Sequence, residues 1–144
     1  MIWKFDATDG CAAGNVKAAL LKRVHAQAKP PADVVLLELV FSELVGNVAR
    51  HAPRFAFVSC EWQDDGLVLR VTDDGPGFAH RVYLPENPLS ESGRGLFLVE
   101  SLSKRLDISS HKPMGTCVSV WLPIYCVTAK AAMPQFAQSA YSAG

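Results

Sequence analysis

Apolar residues along the chain fall into short alternating runs and longer stretches at helical spacing, and the two kinds interleave. Residues 2–6 alternate as a strand does. From Ala12 to Ala28, Val16, Leu20 and Val24 recur at helical spacing while Lys17, Lys22 and Arg23 fall on other faces, and Pro30-Pro31 stops that helix. Asp33 stands as an N-cap for a second helix that runs to about His51 and is ended by Pro53. Its apolar positions, among them Val35, Leu36, Leu39, Val40, Leu44, Val48 and Ala52, make a stripe wide enough to pack under a sheet.

Residues 55–62 and 67–73 read as strands around the turn Asp64-Asp65-Gly66. Asp73-Asp74-Gly75-Pro76-Gly77 then breaks any regular element, and residues 78–92, with two prolines and no strong period, read as a loop. A third helix is predicted from Gly93 to Arg105, with Leu98, Val99 and Leu102 inward and Lys104-Arg105 at its end, where positive charge suits the macrodipole. Residues 106–111 and 115–122 form a second hairpin around Pro113-Met114-Gly115. The Ala-, Ser- and Gln-rich stretch 127–144 reads as a frayed tail or weak helix, so the expected domain is 1–123, with 124–144 as a C-terminal tail. No internal repeat is visible. The order β-α-α-β-β-loop-α-β-β predicts an α+β, two-layer sandwich with a mixed, mainly antiparallel sheet and three helices on one face.

Composition narrows the class. With 144 residues, 49% hydrophobic and 19% charged, the chain is too apolar for disorder and long enough for one core without disulfide or metal staples. Fourteen Lys and Arg balance fourteen Asp and Glu, so no global basic field exists to hold nucleic acid directly. Cys11, Cys60, Cys117 and Cys126 form no CxxC pair, and reduced thiols in the cytoplasm are expected. The apolar runs are too short to span a membrane, and Met1-Ile-Trp-Lys-Phe opens as a strand rather than a targeting peptide. Trp3, Trp62 and Trp121 fall in strands and are expected to pack, and His80 and His111 stand apart from any cysteine.

Three fragments carry candidate chemistry. Glu43, Asn47 and His51 sit at i, i+4 and i+8, and four residues advance about 400°, so they share one helix face. A carboxylate, an amide and an imidazole on an otherwise apolar helix are costly unless they meet something polar, although a solvated face would also satisfy them. Gly46 among them costs about 1 kcal/mol against Ala and admits a close approach. Asp73, at a strand end, could accept a hydrogen bond from an exocyclic amine such as adenine's, with Gly75 and Gly77 letting backbone approach a flat ring; an ordinary turn is the alternative. Ser92-Gly93-Arg94-Gly95-Leu96 opens a helix, where free N–H groups and glycines admit phosphate oxygens; a plain loop-to-helix joint is the alternative. Gly115-Thr116, before the last strand, is alone merely a turn.

Taken together, in order and spacing, these fragments resemble the ATP-binding domain shared by gyrase, heat-shock chaperones, histidine kinases and mismatch-repair ATPases, the GHKL superfamily with the Bergerat fold. Glu43 to His51 is similar to its N box, Asp73-x-Gly75-x-Gly77 to the G1 box, Gly93-x-Gly95 to the G2 box and Gly115-Thr116 to the closing box. The resemblance covers about residues 33–122. It is nearest to the bacterial anti-sigma-factor serine kinases, on the N box running into His51-Ala52, the short lid and the helix start Gly95-Leu96-Phe97-Leu98-Val99. Glu91 stands where a fuller G2 box has another glycine, which either stiffens the lid or sets a negative charge near the phosphates, with Arg94 to offset it.

The resemblance implies ATP and Mg²⁺ as cofactors. By it Glu43 is the general base on a serine hydroxyl or water and Asn47 a Mg²⁺ ligand. Asp73 receives the adenine amino group with Thr116 in support, and Gly93, Arg94 and Gly95 hold the phosphates. His51, Gly75, Gly77 and Leu96 complete the nucleotide-contacting set. It further implies a serine kinase acting on an anti-sigma-factor antagonist, a sigma factor bound as partner, and a homodimer. The alternatives are a regulatory module that binds nucleotide and captures a partner without transfer, and a histidine-kinase catalytic domain. The latter needs a helical hairpin with a phosphoacceptor histidine ahead of the domain, and His25 there reads as a surface residue. A gyrase-like ATPase borrows a lysine from a further domain.

Overall fold

Two aspartates start the long helices. In a computed structural model, which describes residues 1–50, 55–74, 94–110 and 115–127, Asp9 accepts hydrogen bonds from the Cys11 and Ala12 N–H groups and opens α1 (Gly10–Gln27). Asp33 accepts from Leu36 N–H at 2.8 Å and opens α2 (Val34–Arg50), as its position predicts. The strands are β1 (Ile2–Asp6), β2 (Phe55–Gln63), β3 (Gly66–Asp73), β4 (Arg105–Ser110) and β5 (Thr116–Leu122), with a third helix, α3 (Arg94–Leu102), before β4.

The strands form one sheet in the order β1-β2-β3-β5-β4. Among the described residues every pairing is antiparallel, where the sequence reading expected a mixed, mainly antiparallel sheet. The β2–β3 hairpin turns at Gly66, whose φ of +137° and closeness to the Leu122 carbonyl (2.2 Å from where a Cβ would stand) admit only glycine. Alternation along β3 puts Leu67, Leu69, Val71 and Asp73 on the face that meets the helices. Leu20 and Val24 of α1, Leu37, Val40 and Leu44 of α2, and Leu96 and Val99 of α3 close over that face, giving the expected two-layer α+β sandwich.

Several local expectations change. Val35 is 76% exposed, because the α2 stripe that reaches the core runs through Leu36, Leu37, Val40, Phe41, Leu44, Val45 and Val48, and Val35 lies about half a turn round from its middle. On α3 the inward residues are Leu96 and Val99, while Phe97, Leu98 and Leu102 are exposed. This helix also ends at Leu102, and Arg105 already belongs to β4, so Lys104 and Arg105 do not serve its dipole. Instead Arg105 stacks on the Trp121 ring at 4.2 Å, and Lys104 Nζ donates to the Asp65 carbonyl at 2.5 Å. Trp3 and Trp62 pack against the core, as predicted, and the indole N–H groups of Trp62 and Trp121 donate to Gln27 and Gln63.

After Pro123 the chain stays on the fold. Ile124 is buried in the core, Cys126 bridges to Ala28, and Val127 N–H donates to the Gln27 carbonyl at 2.8 Å. None of the four cysteines forms a disulfide, and Cys60 and Cys117 are buried. Among the described residues no helix is long and apolar enough to cross a membrane, and no cluster of three or more His, Cys, Asp and Glu could hold a metal. His80, His111 and residues 128–144 lie outside the described residues.

Candidate functional site

Helical period on α2 decides which polar side chains reach the interior. Glu43 and Asn47, one turn apart, lie along one flank of the buried stripe; Glu43 is half-buried and Asn47 is 9% exposed. An amide buried among leucines and valines needs a partner. Arg50, three residues on, supplies one: its Nη2 donates to Asn47 Oδ1. Gly46 lies beneath the same guanidinium, with Nη1 3.4 Å from where a Cβ would stand.

The Glu43 carboxylate reaches across to α3. A Cβ on Gly95 would stand 2.0 Å from Glu43 Oε2 and 2.9 Å from Cδ, so glycine at this position admits the carboxylate. Gly95 is in the first turn of α3, where N–H groups without helical partners and the positive end of the dipole favour an anion. The two sequence fragments thus meet: the N-box carboxylate and the start of the helix assigned to phosphate. Leu96, the next residue, is 1% exposed and packs into the core, so its side chain is structural.

Asp73 and Thr116 form the other half. Asp73 ends β3 on the helix-facing side and is 5% exposed. Its Oδ1 accepts the Thr116 N–H at 3.2 Å, which ties β3 to the start of β5. Thr116 is 1% exposed, and its Oγ1 has no hydrogen-bond partner among the described residues. A buried hydroxyl without a partner costs about 1–3 kcal/mol, and beside a buried carboxylate it offers a donor and acceptor to a ligand's polar edge. Next along, Asp74 Oδ1 accepts the Phe55 N–H at 3.2 Å and fixes the strand end from which Gly75 and Gly77 continue.

The structure therefore joins Glu43 with Gly95, and Asp73 with Thr116. His51, Gly75, Gly77, Glu91 and Gly93 lie outside the described residues, and of Arg94 the backbone alone is described, opening α3. Arg50 and Asp74 escaped the sequence reading. Arg50 had a signal, the i+3 spacing to Asn47 on one helix; Asp74 had none beyond its place beside Asp73. The clearest electrostatic perturbation is away from these groups: burial pushes the Cys60 thiol from 9.0 up to about 12.

This arrangement suits a nucleotide and a hard cation. The Thr116 hydroxyl beside Asp73, without a partner among the described residues, fits the amino edge of a purine, and the Glu43 and Asn47 oxygens are the donor type that Mg²⁺ takes. Few protein ligands are needed, since Mg²⁺ in such sites keeps most of its positions for phosphate and water.

Comparison with known proteins shows the family and the fold. The histidine kinase-like ATPase domain family matches residues 12–122. Among solved structures the chain is similar to full-length ShkA in complex with AMPPNP, at 19% identity and a TM-score of 0.55 over 80% of this chain and 30% of that one. It is also similar to the histidine kinase AdeS of Acinetobacter baumannii, at 20% identity and a TM-score of 0.47 over 89% of this chain and 68% of that one. The chain thus spans less than a third of the length of ShkA, and at 19% identity that likeness shows the fold. No curated protein matches.

Proposed function

Because the chain belongs to the histidine kinase-like ATPase domain family, an ATP-binding fold, we propose that it is a protein serine kinase of the anti-sigma-factor type. Its substrate is an anti-sigma-factor antagonist, it also binds a sigma factor, and it works as a cytoplasmic homodimer. The observation that carries the transfer chemistry is the Glu43 carboxylate set against Gly95 at the start of α3. It puts a proton acceptor beside the turn whose N–H groups suit phosphate. The N box running into His51-Ala52 and the helix start Gly95-Leu96-Phe97 support the anti-sigma-factor kinase class.

Each residue then has a task. Asp73 accepts the adenine amino group, with the Thr116 hydroxyl completing the contact. Backbone N–H groups from Gly93 to Gly95 hold the phosphates, with Arg94 adding charge. Asn47 Oδ1 would hold Mg²⁺, which would supply neutralisation of the phosphate charge. Glu43 orients the incoming serine hydroxyl and takes its proton. Phosphoryl transfer depends on positioning and electrostatics more than on covalent help from the protein, so one base, one metal ligand and an N–H cradle suffice.

The test is to incubate the protein with radiolabelled ATP, Mg²⁺ and candidate antagonist domains encoded near its gene, and to identify the labelled residue. Phosphoserine on an antagonist is the expected product. Tight nucleotide binding with no labelled antagonist would mean a binding module, and an acid-labile phosphohistidine would mean a histidine kinase.

A further inference from the structure

Arg50 is the residue of this site that the function above leaves without a task. Its guanidinium lies along α2, with Nη1 over Gly46, and its Nη2 donates to Asn47 Oδ1. The guanidinium lies close over the helix at Gly46, where a Cβ would stand 3.4 Å from Nη1, in ordinary van der Waals contact. Asn47 is buried, so its amide cannot turn freely to water, and Arg50 holds its oxygen.

We propose that Arg50 is a positioning residue that caps the Asn47 oxygen in the metal-free protein and must be displaced when Mg²⁺ binds, so that it sets the Mg²⁺ concentration at which the nucleotide site loads. The inference rests on the reading of Asn47 as the metal ligand. Mg²⁺ demands direct oxygen contact in near-ideal octahedral geometry. A guanidinium is charged at every working pH and is drawn to the same oxygen, so the two cations compete for it. In return, the arginine keeps Asn47 oriented before the metal arrives.

The experiment compares wild type with Arg50→Met, which keeps a long apolar stem and removes both donor and charge. ATP binding is measured by calorimetry in chelator and across a Mg²⁺ series, and each Mg²⁺ midpoint is referred to the same protein's affinity in chelator. That reference removes any general loss of attraction for phosphate. A Mg²⁺ midpoint lowered by about three- to tenfold in Arg50→Met, the range of one charge-assisted hydrogen bond in a partly exposed setting, supports the proposal. An unchanged or raised midpoint, with both proteins binding ATP, overturns it and leaves the function standing. Failure of the wild type to bind ATP at all overturns both. Should Arg50→Met not fold, ¹⁵N spectra of the wild-type Arg50 guanidinium decide. The proposal expects slow rotation and a distinct signal without metal that is lost on adding Mg²⁺ and ATP; a signal unchanged by them overturns it.

Discussion

Glu43 and Gly95 touch across two helices: any side chain at 95 would collide with the carboxylate, whose Oε2 lies 2.0 Å from the nearest possible Cβ. In Gly95→Ala the far end of a flexible side chain must give way, while the helix gains about 1 kcal/mol of propensity. We therefore expect the folded protein to keep its melting temperature within a few degrees while serine phosphorylation in a single turnover falls by about 10²-fold or more, the low end of what a displaced general base costs. An undiminished rate would mean that Glu43 is not held for catalysis.

Glu43→Gln separates binding from chemistry. It retains volume and hydrogen-bonding capacity but cannot take a proton, so ATP affinity should stay close to wild type while transfer falls by about 10²–10⁴-fold. Parallel losses in affinity and rate would assign Glu43 to nucleotide binding instead.

Thr116→Val should move stability and affinity in opposite directions. The hydroxyl is buried with no partner among the described residues, and its methyl replacement suits a strand. Removing an unsatisfied group relieves about 1–3 kcal/mol of penalty, so thermal unfolding should shift up or stay level. ATP affinity should drop by about tenfold, the worth of one hydrogen bond near 1.4 kcal/mol. Lower stability together with full affinity would show that the hydroxyl serves the fold.

What the sequence displayed of all this follows the range of each interaction. Asp33 announced itself as a cap because the cap and the N–H that donates to it are three residues apart, and Glu43 and Asn47 shared a face because helical period alone puts them there. Capped by Asp9, α1 starts at Gly10, two residues ahead of the predicted Ala12, since Gly10 and Cys11 hide the onset of the period. The orientation of α3 was not legible: Leu96, Phe97, Leu98, Val99 and Leu102 leave too little polar contrast to choose an inward face, and packing against α2 chose Leu96 and Val99. The pairings that make the site, Glu43 with Gly95 and Asp73 with Thr116, join residues far apart in the chain. No local pattern encodes such contacts; family resemblance pointed to Thr116 beside Asp73, and nothing in the sequence pointed to Glu43 against Gly95.

Cys60 offers a pH readout independent of nucleotide. Burial raises its pKa from 9.0 to about 12, so the unfolded chain loses this proton first and the folded form keeps it. The thiol's contribution is therefore whole below about pH 9 and declines as pH rises toward 12. The stability difference between wild type and Cys60→Ala, from urea unfolding, should narrow as the pH is raised from neutral to about 10. In the native protein an alkylating reagent should label exposed Cys11 and spare Cys60.

The central claim is that Asp73, buried at the end of β3 and bonded to the Thr116 N–H, is the nucleotide's anchor. Calorimetric titration of ATP with Mg²⁺ into wild type and Asp73→Asn, both confirmed folded, tests it most directly. The account predicts measurable binding by the wild type and a loss of about 10²-fold or more in the variant, since a charged acceptor facing a donor would become an amide that presents its own N–H groups. Equal affinity in the two proteins would contradict it.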